Sequence, residues 1–399
     1  MNTGATIRPL YPSEAMFAGN RSTVAYSAFG SGALKIDALT TAFRALLATY
    51  PVLSTQIVSA GHGYALRYAA QPPAVQIGTS TALPRAGFTI VDPGAVCAID
   101  VAQTGTDFRL TLLTHHSIAD AGAALRYLEV LCTYYTRVVE TGSAGTIRTH
   151  PLALSLEQFL AARGYVIPEA GEPPAPRAET TVDAAVVVRH GRTRLGRAQT
   201  TQLFDAAHAA GLTVHGVVCA AILAAAHALS RSQGAVTFGL TSSVDLRTRT
   251  EAPIAAAQGT VIQGADTAIL AVVPEDDPLR LARAVLDSLA SGLADHTVHQ
   301  VFLCQPQRQH PCIENPLMVT NWGPIPALRL PEGLRVHDFR ATVRGRYIGL
   351  RATTLPPSFF ITTCDGRLSI DHPAWVADES DPTIGWTDAL GRAFDRILR

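Results

Sequence analysis

The chain has 399 residues, which at ~100–200 residues per domain fits two domains or one large divided unit. Hydrophobic residues make up 47% and charged residues 16%, a balance that buries a sizeable core and excludes a disordered chain. Lys+Arg and Asp+Glu both number 32, so the formal net charge is zero and the basic excess of a nucleic-acid binder is missing.

The opening MNTGATIRPLYPSEAM has no basic start followed by an apolar run, so no secretory signal is expected there. Asp37 is expected to cap a helix whose apolar face carries Leu39, Phe43, Leu46 and Leu47. Tyr50-Pro51 should end it, because a residue before proline avoids the helical region. Residues 108–114 read as a strand, and Thr114-His115-His116 leads on to Asp120. A helical stripe then follows in Leu125, Leu128, Leu131, Tyr135 and Val138. Residues 166–182, VIPEAGEPPAPRAETTV, hold four prolines and are expected to link a first domain (1–165) to a second (183–399).

In the second half, residues 203–210 suit a helix stopped by Gly211, and Thr213 suits the cap of an alanine-rich helix over 214–230. That helix holds the longest apolar stretch, 216–229, which is too short for the ~20 residues of a membrane span. Residues 237–244 read as a strand, and Asp277-Pro278 as the start of a helix running to 293. Cys364-Asp365-Gly366 lies between two strand patterns as a hairpin turn, and residues 384–398 close with an amphipathic helix. The cysteines (Cys97, Cys132, Cys219, Cys304, Cys312 and Cys364) form no CxxC pair, so reduced thiols are expected in a cytoplasmic protein, with no zinc site.

The chemistry-bearing segment is His115-His116-Ser117-Ile118-Ala119-Asp120. A strand ends at the histidines and a helix starts near the aspartate, so an imidazole can project from the turn. A neutral imidazole can take a proton from a hydroxyl or amine that attacks a thioester. The bland alternative is a helix cap with two ordinary histidines. Arg335, Arg340, Arg344, Arg346 and Arg351 form a basic run, read as solvated positive faces rather than a carrier-protein dock. His296 and His299 follow a helix end and are expected to complement its dipole or meet solvent. No serine-hydrolase elbow or phosphate-binding loop is present.

The segment LTHHSIADAGA resembles the HHxxxDG motif of the superfamily of peptide-synthetase condensation domains, plant HxxxD acyltransferases and chloramphenicol acetyltransferase. The resemblance extends in particular to the mycobacterial phthiocerol/phthiodiolone dimycocerosyl transferase family. It is carried by IRPLYPSEAMFA, ALTTAFRALLATYPVL, LALSLEQFLAARG, VHGVVCAAILAA, SVDLRTRT and RLPEGLRVHDF.

This resemblance implies an α/β fold of two chloramphenicol-acetyltransferase-like subdomains, a pseudo-dimer with its active site in a tunnel between them. It implies His116 as general base, supported by His115 and by Asp120 in a bidentate pair with Arg247. Thr320 would stabilise the oxyanion, with Asn321 as substitute. Ala121 stands where the family often has glycine, and Gly122 comes next; the added methyl is expected to leave activity intact.

The implied reaction carries a fatty or polyketide acyl group from a carrier-protein or coenzyme A thioester to a hydroxyl. No further cofactor and no metal are expected. The implied partners are an acyl carrier protein or polyketide synthase and an alcohol-bearing small molecule or lipid; a monomer without nucleic-acid or integral-membrane association is expected. Two alternatives stay open: condensation-type amide formation or thioester release, and a non-catalytic carrier-binding module.

Overall fold

The computed structural model describes residues 6–19, 21–84, 88–90, 94–165, 167, 187–303, 313–344, 356–376 and 381–399. The first half runs β1 (Thr6–Pro9), α1 (Pro12–Gly19), β2 (Thr23–Ser31), α2 (Ile36–Thr49), β3 (Thr55–Ala60), β4 (Gly63–Tyr68) and β5 (Val75–Ile77). It continues with β6 (Cys97–Thr104), β7 (Asp107–His115), α3 (Ala121–Thr141) and α4 (Leu156–Ala162). The second half runs β8 (Val187–Arg194), α5 (Arg197–Ala209), α6 (Val214–Ser230), β9 (Val236–Asp245), β10 (Gln263–Val272), α7 (Pro278–Ala294) and α8 (Thr297–Gln300). β11 (Pro316–Pro324), β12 (Arg335–Arg344), β13 (Ser358–Cys364), β14 (Arg367–Val376) and α9 (Pro382–Ile397) complete it.

Among the described residues the strands form three sheets: β1-β4-β3, β12-β2-β7-β6-β5 and β10-β9-β11-β13-β14-β8. In the five-stranded sheet β7 is central and buried along almost its whole length, as the run Phe-Arg-Leu-Thr-Leu-Leu-Thr-His suggests for a strand covered on both faces. Phe43, Leu46 and Leu47 of α2 and Leu128 and Leu131 of α3 fill the first core beside it. In the six-stranded sheet β11 runs parallel to both neighbours, β9 and β13. The second core gathers α6 and α9 against this sheet.

The halves of the sequence are not the halves of the fold. β12 comes late in the chain yet pairs antiparallel with β2, closing the edge of the first half's sheet. Side chains alternate across a strand, and β12 uses both faces. Phe339 and Ala341 are fully buried, Phe339 within the first core. On the opposite face Asp338 accepts two hydrogen bonds from Arg192 at 2.6 and 2.8 Å, and Arg340 Nε donates to Asp371 at 2.7 Å. Arg340 is therefore an interior ion-pair partner and not part of a solvated basic face. Arg346 and Arg351 lie outside the described residues, as do Cys304, Cys312 and nearly all of 166–182.

Several local signals fold as the sequence indicates. Thr213 caps α6, Asp277 caps α7, and Asp365 and Gly366 adopt left-handed conformations (φ 51° and 70°) in the β13–β14 hairpin. Asp37 does not cap α2: Lys35 occupies the cap position and Asp37 sits in the first turn, where its charge still favours the helix dipole. His299 is buried rather than solvated. Its Nε2 lies 3.1 Å from the Arg249 carbonyl and its ring stacks on Tyr165. Cys97, Cys132 and Cys219 are buried free thiols. Among the described residues no single helix is long and apolar enough to cross a membrane, and no cluster of potential metal ligands occurs.

Candidate active site

β7 ends at His115, and the chain turns through His116 to Ala119 before α3 begins. Two backbone bonds fix the turn's entry: His115 N donates to Val96 O and His116 N to Ser22 O, both at 2.7 Å. Ser117 donates its hydroxyl to the Glu14 carbonyl at 2.7 Å, and its N–H lies 3.2 Å from His115 Nδ1. His115 is buried, and burial, His116 and Arg21 push its pKa down to about 3. It is a neutral, structural imidazole whose Nδ1 accepts. Burial also lowers the His116 pKa; its own carbonyl and the charge of Asp120 push back without restoring the ordinary value. His116 is thus neutral at neutral pH, the form in which imidazole accepts a proton.

Asp120 closes the turn and does two jobs. Oδ1 accepts from Ala123 N at 3.0 Å and caps α3. Oδ2 accepts from Arg247 NH1 at 2.8 Å and from Ile262 N at 2.7 Å. Asp120 N donates to Thr260 O at 3.0 Å, so three residues of the second half hold this one aspartate. Both side chains of the ion pair are about 5% exposed or less.

The pair is not the bidentate fork expected from the sequence. Only NH1 of Arg247 reaches Asp120; Nε donates to Ala256 O at 3.2 Å, and NH2 has no hydrogen-bond partner. The guanidinium lies over Gly122, where a built Cβ would meet NH1 at 2.9 Å and Cζ at 3.2 Å. Gly122, one residue beyond the expected motif position, is what lets the arginine approach.

A cavity of about 110 Å³ opens beside this pair. Asp120, Ala121, Gly122 and Leu125 of the first half line it, with Ser243, Arg247, Gln263 and Thr320–Trp322 from the second. It is smaller than the ~300–1,000 Å³ of typical ligand pockets. Thr320 faces it with its hydroxyl 3.2 Å from Ser243 Oγ. Asn321 also borders it, but its Oδ1 accepts from Gly323 N at 2.9 Å at a bulge in β11 and is engaged locally. Thus Asp120, Arg247, Thr320 and Asn321 come together from distant parts of the sequence. His116 is not among the lining residues; its ring lies against Phe17.

Three contributors have no obvious signal in the sequence. Trp322 packs between the halves, 4.9 Å from the ring of Tyr26. Glu14 is fully buried, gripped by both terminal nitrogens of Arg8 at 2.7 Å and by the Thr260 hydroxyl at 2.6 Å. Glu157, also buried, accepts from Ser13 N and Oγ at 2.7 and 2.8 Å. Arg and Glu are usually exposed, so a lone sequence offers no reason to bury them; the runs IRPLYPSEAMFA and LALSLEQFLAARG, singled out by resemblance, marked the regions of Glu14 and Glu157 without pointing to their burial.

Comparison with known proteins places this geometry in a family. Residues 184–373 match the family model described as phthiocerol/phthiodiolone dimycocerosyl transferase C-terminus. A phthiocerol/phthiodiolone dimycocerosyl transferase of Mycobacterium sp. (strain JLS) is 30% identical over 351 residues, covering 83% of this chain and 85% of that protein. The structure of polyketide synthase associated protein 5 from Mycobacterium tuberculosis superposes with a TM-score of 0.81 at 24% identity, covering 100% and 99% of the two chains. The first condensation domain of the calcium-dependent antibiotic synthetase superposes with a TM-score of 0.67 at 16% identity, covering 100% and 96%. The fold is therefore the pseudo-dimeric mixed α/β architecture of condensation and acyltransferase domains. With the HHxxxD turn, its arginine partner and this likeness over most of the sequence, the chain belongs to the phthiocerol/phthiodiolone dimycocerosyl transferase family.

Proposed function

We propose that the protein is an O-acyltransferase, moving a fatty or polyketide acyl group from a carrier-protein or coenzyme A thioester to the hydroxyl of a small molecule or lipid. The observation that carries this reading is the HHxxxD turn, locked across the two halves by Asp120 and Arg247 with a neutral His116 in it. His116 takes the proton of the acceptor hydroxyl as its oxygen attacks the thioester carbonyl. The tetrahedral intermediate collapses, the C–S bond breaks, and the imidazolium returns the proton to the thiolate. No covalent enzyme intermediate is required, because holding both substrates together supplies much of the rate.

Thr320 serves the oxyanion in this scheme. If Ser243 donates to Thr320 Oγ1, the Thr320 hydroxyl proton is free to point into the cavity. Such a donor is worth roughly 3 kcal/mol of transition-state stabilisation. The cavity is read as the narrow waist of a tunnel that widens when substrates enter. The chain supplies both walls, so we read the enzyme as a monomer, working in the cytoplasm beside the synthase that loads its donor.

The test is intact-mass spectrometry of an acyl-loaded carrier protein incubated with the enzyme and a panel of alcohols and amines, with His116→Ala in parallel. Loss of the acyl mass with a matching ester, only when His116 is intact, supports the reading. An amide or free acid shifts it to condensation or release. An unchanged donor with both carrier protein and coenzyme A leaves a non-catalytic binding module.

A further inference from the structure

The His116 imidazole lies flat on the ring of Phe17, with centroids 4.0 Å apart and planes 5° from parallel. Chain reversal makes this contact. α1 ends at Gly19, Arg21 adopts a left-handed conformation (φ 46°), and Ser22 N donates back to Phe17 O at 3.1 Å. β2 then starts beside the end of β7, with Thr23 opposite His115. Phe17 is thereby returned over the histidine turn.

α1 has only eight residues and cannot hold its place by helix propensity alone. Glu14 fixes it. Its carboxylate is bound by Arg8, by Tyr11 N at 3.0 Å and by the Thr260 hydroxyl, and its carbonyl receives Ser117 of the histidine turn. Thr260 also accepts from Asp120 N. One second-half residue therefore ties α1 and the aspartate end of the motif to the same point.

We propose that Phe17 is a positioning residue for the reaction, its ring fixing the plane of the His116 imidazole and screening one face from water while the Glu14 clamp holds α1 in place. This rests on the acyltransferase reading. The charged and titratable groups around His116 are His115 and Asp120 on its own turn, with Arg21 acting on His115. α1 adds Glu14, whose charge is taken up by Arg8. Phe17 itself is apolar, so its effect on His116 is exclusion of water.

The experiment compares wild type, Phe17→Leu and Phe17→Tyr by three readouts: kcat and KM for acyl transfer, the pH profile of kcat/KM, and an NMR titration of histidine-labelled protein. His116→Ala assigns the resonance. Phe17→Leu is expected to lower kcat about tenfold or more with KM little changed. Wetting the ring should move the His116 midpoint up toward the ordinary imidazole range and shift the acid limb of the rate profile with it. Phe17→Tyr, which keeps the planar ring, should restore both. A Leu variant with wild-type kcat and an unmoved midpoint overturns the proposal. So does a rate loss that Tyr does not rescue while the midpoint stays put, since that pattern reports packing alone. If wild type transfers no acyl group while the midpoint still moves, the acyltransferase reading fails and the Phe17–His116 coupling stands.

Discussion

Replacing Arg247 with methionine keeps the apolar stem and removes the charge that faces Asp120. Removing one partner of a buried ion pair costs about 3–5 kcal/mol, mostly for the charge left behind. Here Asp120 keeps two N–H donors, Ala123 N and Ile262 N, so the lower end, about 3 kcal/mol, applies. The bond from Arg247 to Asp245 adds little because the Asp245 side chain is 58% exposed. The unfolding entropy for 399 residues is roughly 0.8 kcal/mol per degree, so Arg247→Met should lower Tm by roughly 4 °C. A double-mutant cycle with Asp120→Asn, followed by chemical denaturation, should return a coupling energy of about 2 kcal/mol. Acyl transfer should fall further than stability, because the same bond orients the turn carrying His116. A coupling below about 0.5 kcal/mol would refute the claim that this pair locks the turn.

Three other outcomes follow from the same geometry. Gly122→Ala places a methyl 2.9 Å from Arg247 NH1 and should cost about 1–2 kcal/mol in chemical denaturation; an unchanged midpoint would mean the guanidinium has room to shift. Thr320→Val should lower kcat by roughly a hundredfold with little change in KM, whereas Asn321→Ala should do far less because Oδ1 is already taken by Gly323 N; equal effects in steady-state assays would reject Thr320 as the oxyanion donor. Stability should fall as pH drops from about 6.5 toward 3, because the unfolded chain binds a proton at His115 that the folded chain, with its pKa near 3, does not. The slope from this group approaches about 1.4 kcal/mol per pH unit, and His115→Asn should flatten it in denaturation curves taken between about pH 7 and pH 4.5.

What the sequence disclosed divides by range. Thr213, Asp120 and Asp365-Gly366 were readable because caps and tight turns depend on neighbours a few residues away. Asp37 misled by two positions, since an acidic residue is welcome both at a helix cap and in the first turn. The pairing of Asp120 with Arg247 came from resemblance; the motif's displaced glycine, Gly122, was visible too, but that the guanidinium lies over it and makes a single bond shows only in the fold. β12 shows the other limit. Its arginines read as a solvated basic run, because its partner β2 lies near the opposite end of the chain and no local pattern points to it. Glu14 and Thr260 were out of reach for the same reason: their burial is decided by contacts between the halves.

The exchange of β12 bears on how this chain can be cut or rebuilt. A fragment ending before residue 187 would keep β2 paired with β7 but leave the backbone groups on its other edge, those that face β12, open. The complementary fragment would carry β12 without the core it packs into: Phe339, fully enclosed in the intact fold, would face water. Neither piece is a self-sufficient domain, and the two are expected to recombine when mixed. Two copies with a shortened loop before β12 can satisfy the same edges by swapping that strand, making an intertwined dimer. Permuted or split versions of the protein should therefore keep β12 on the same polypeptide as β2.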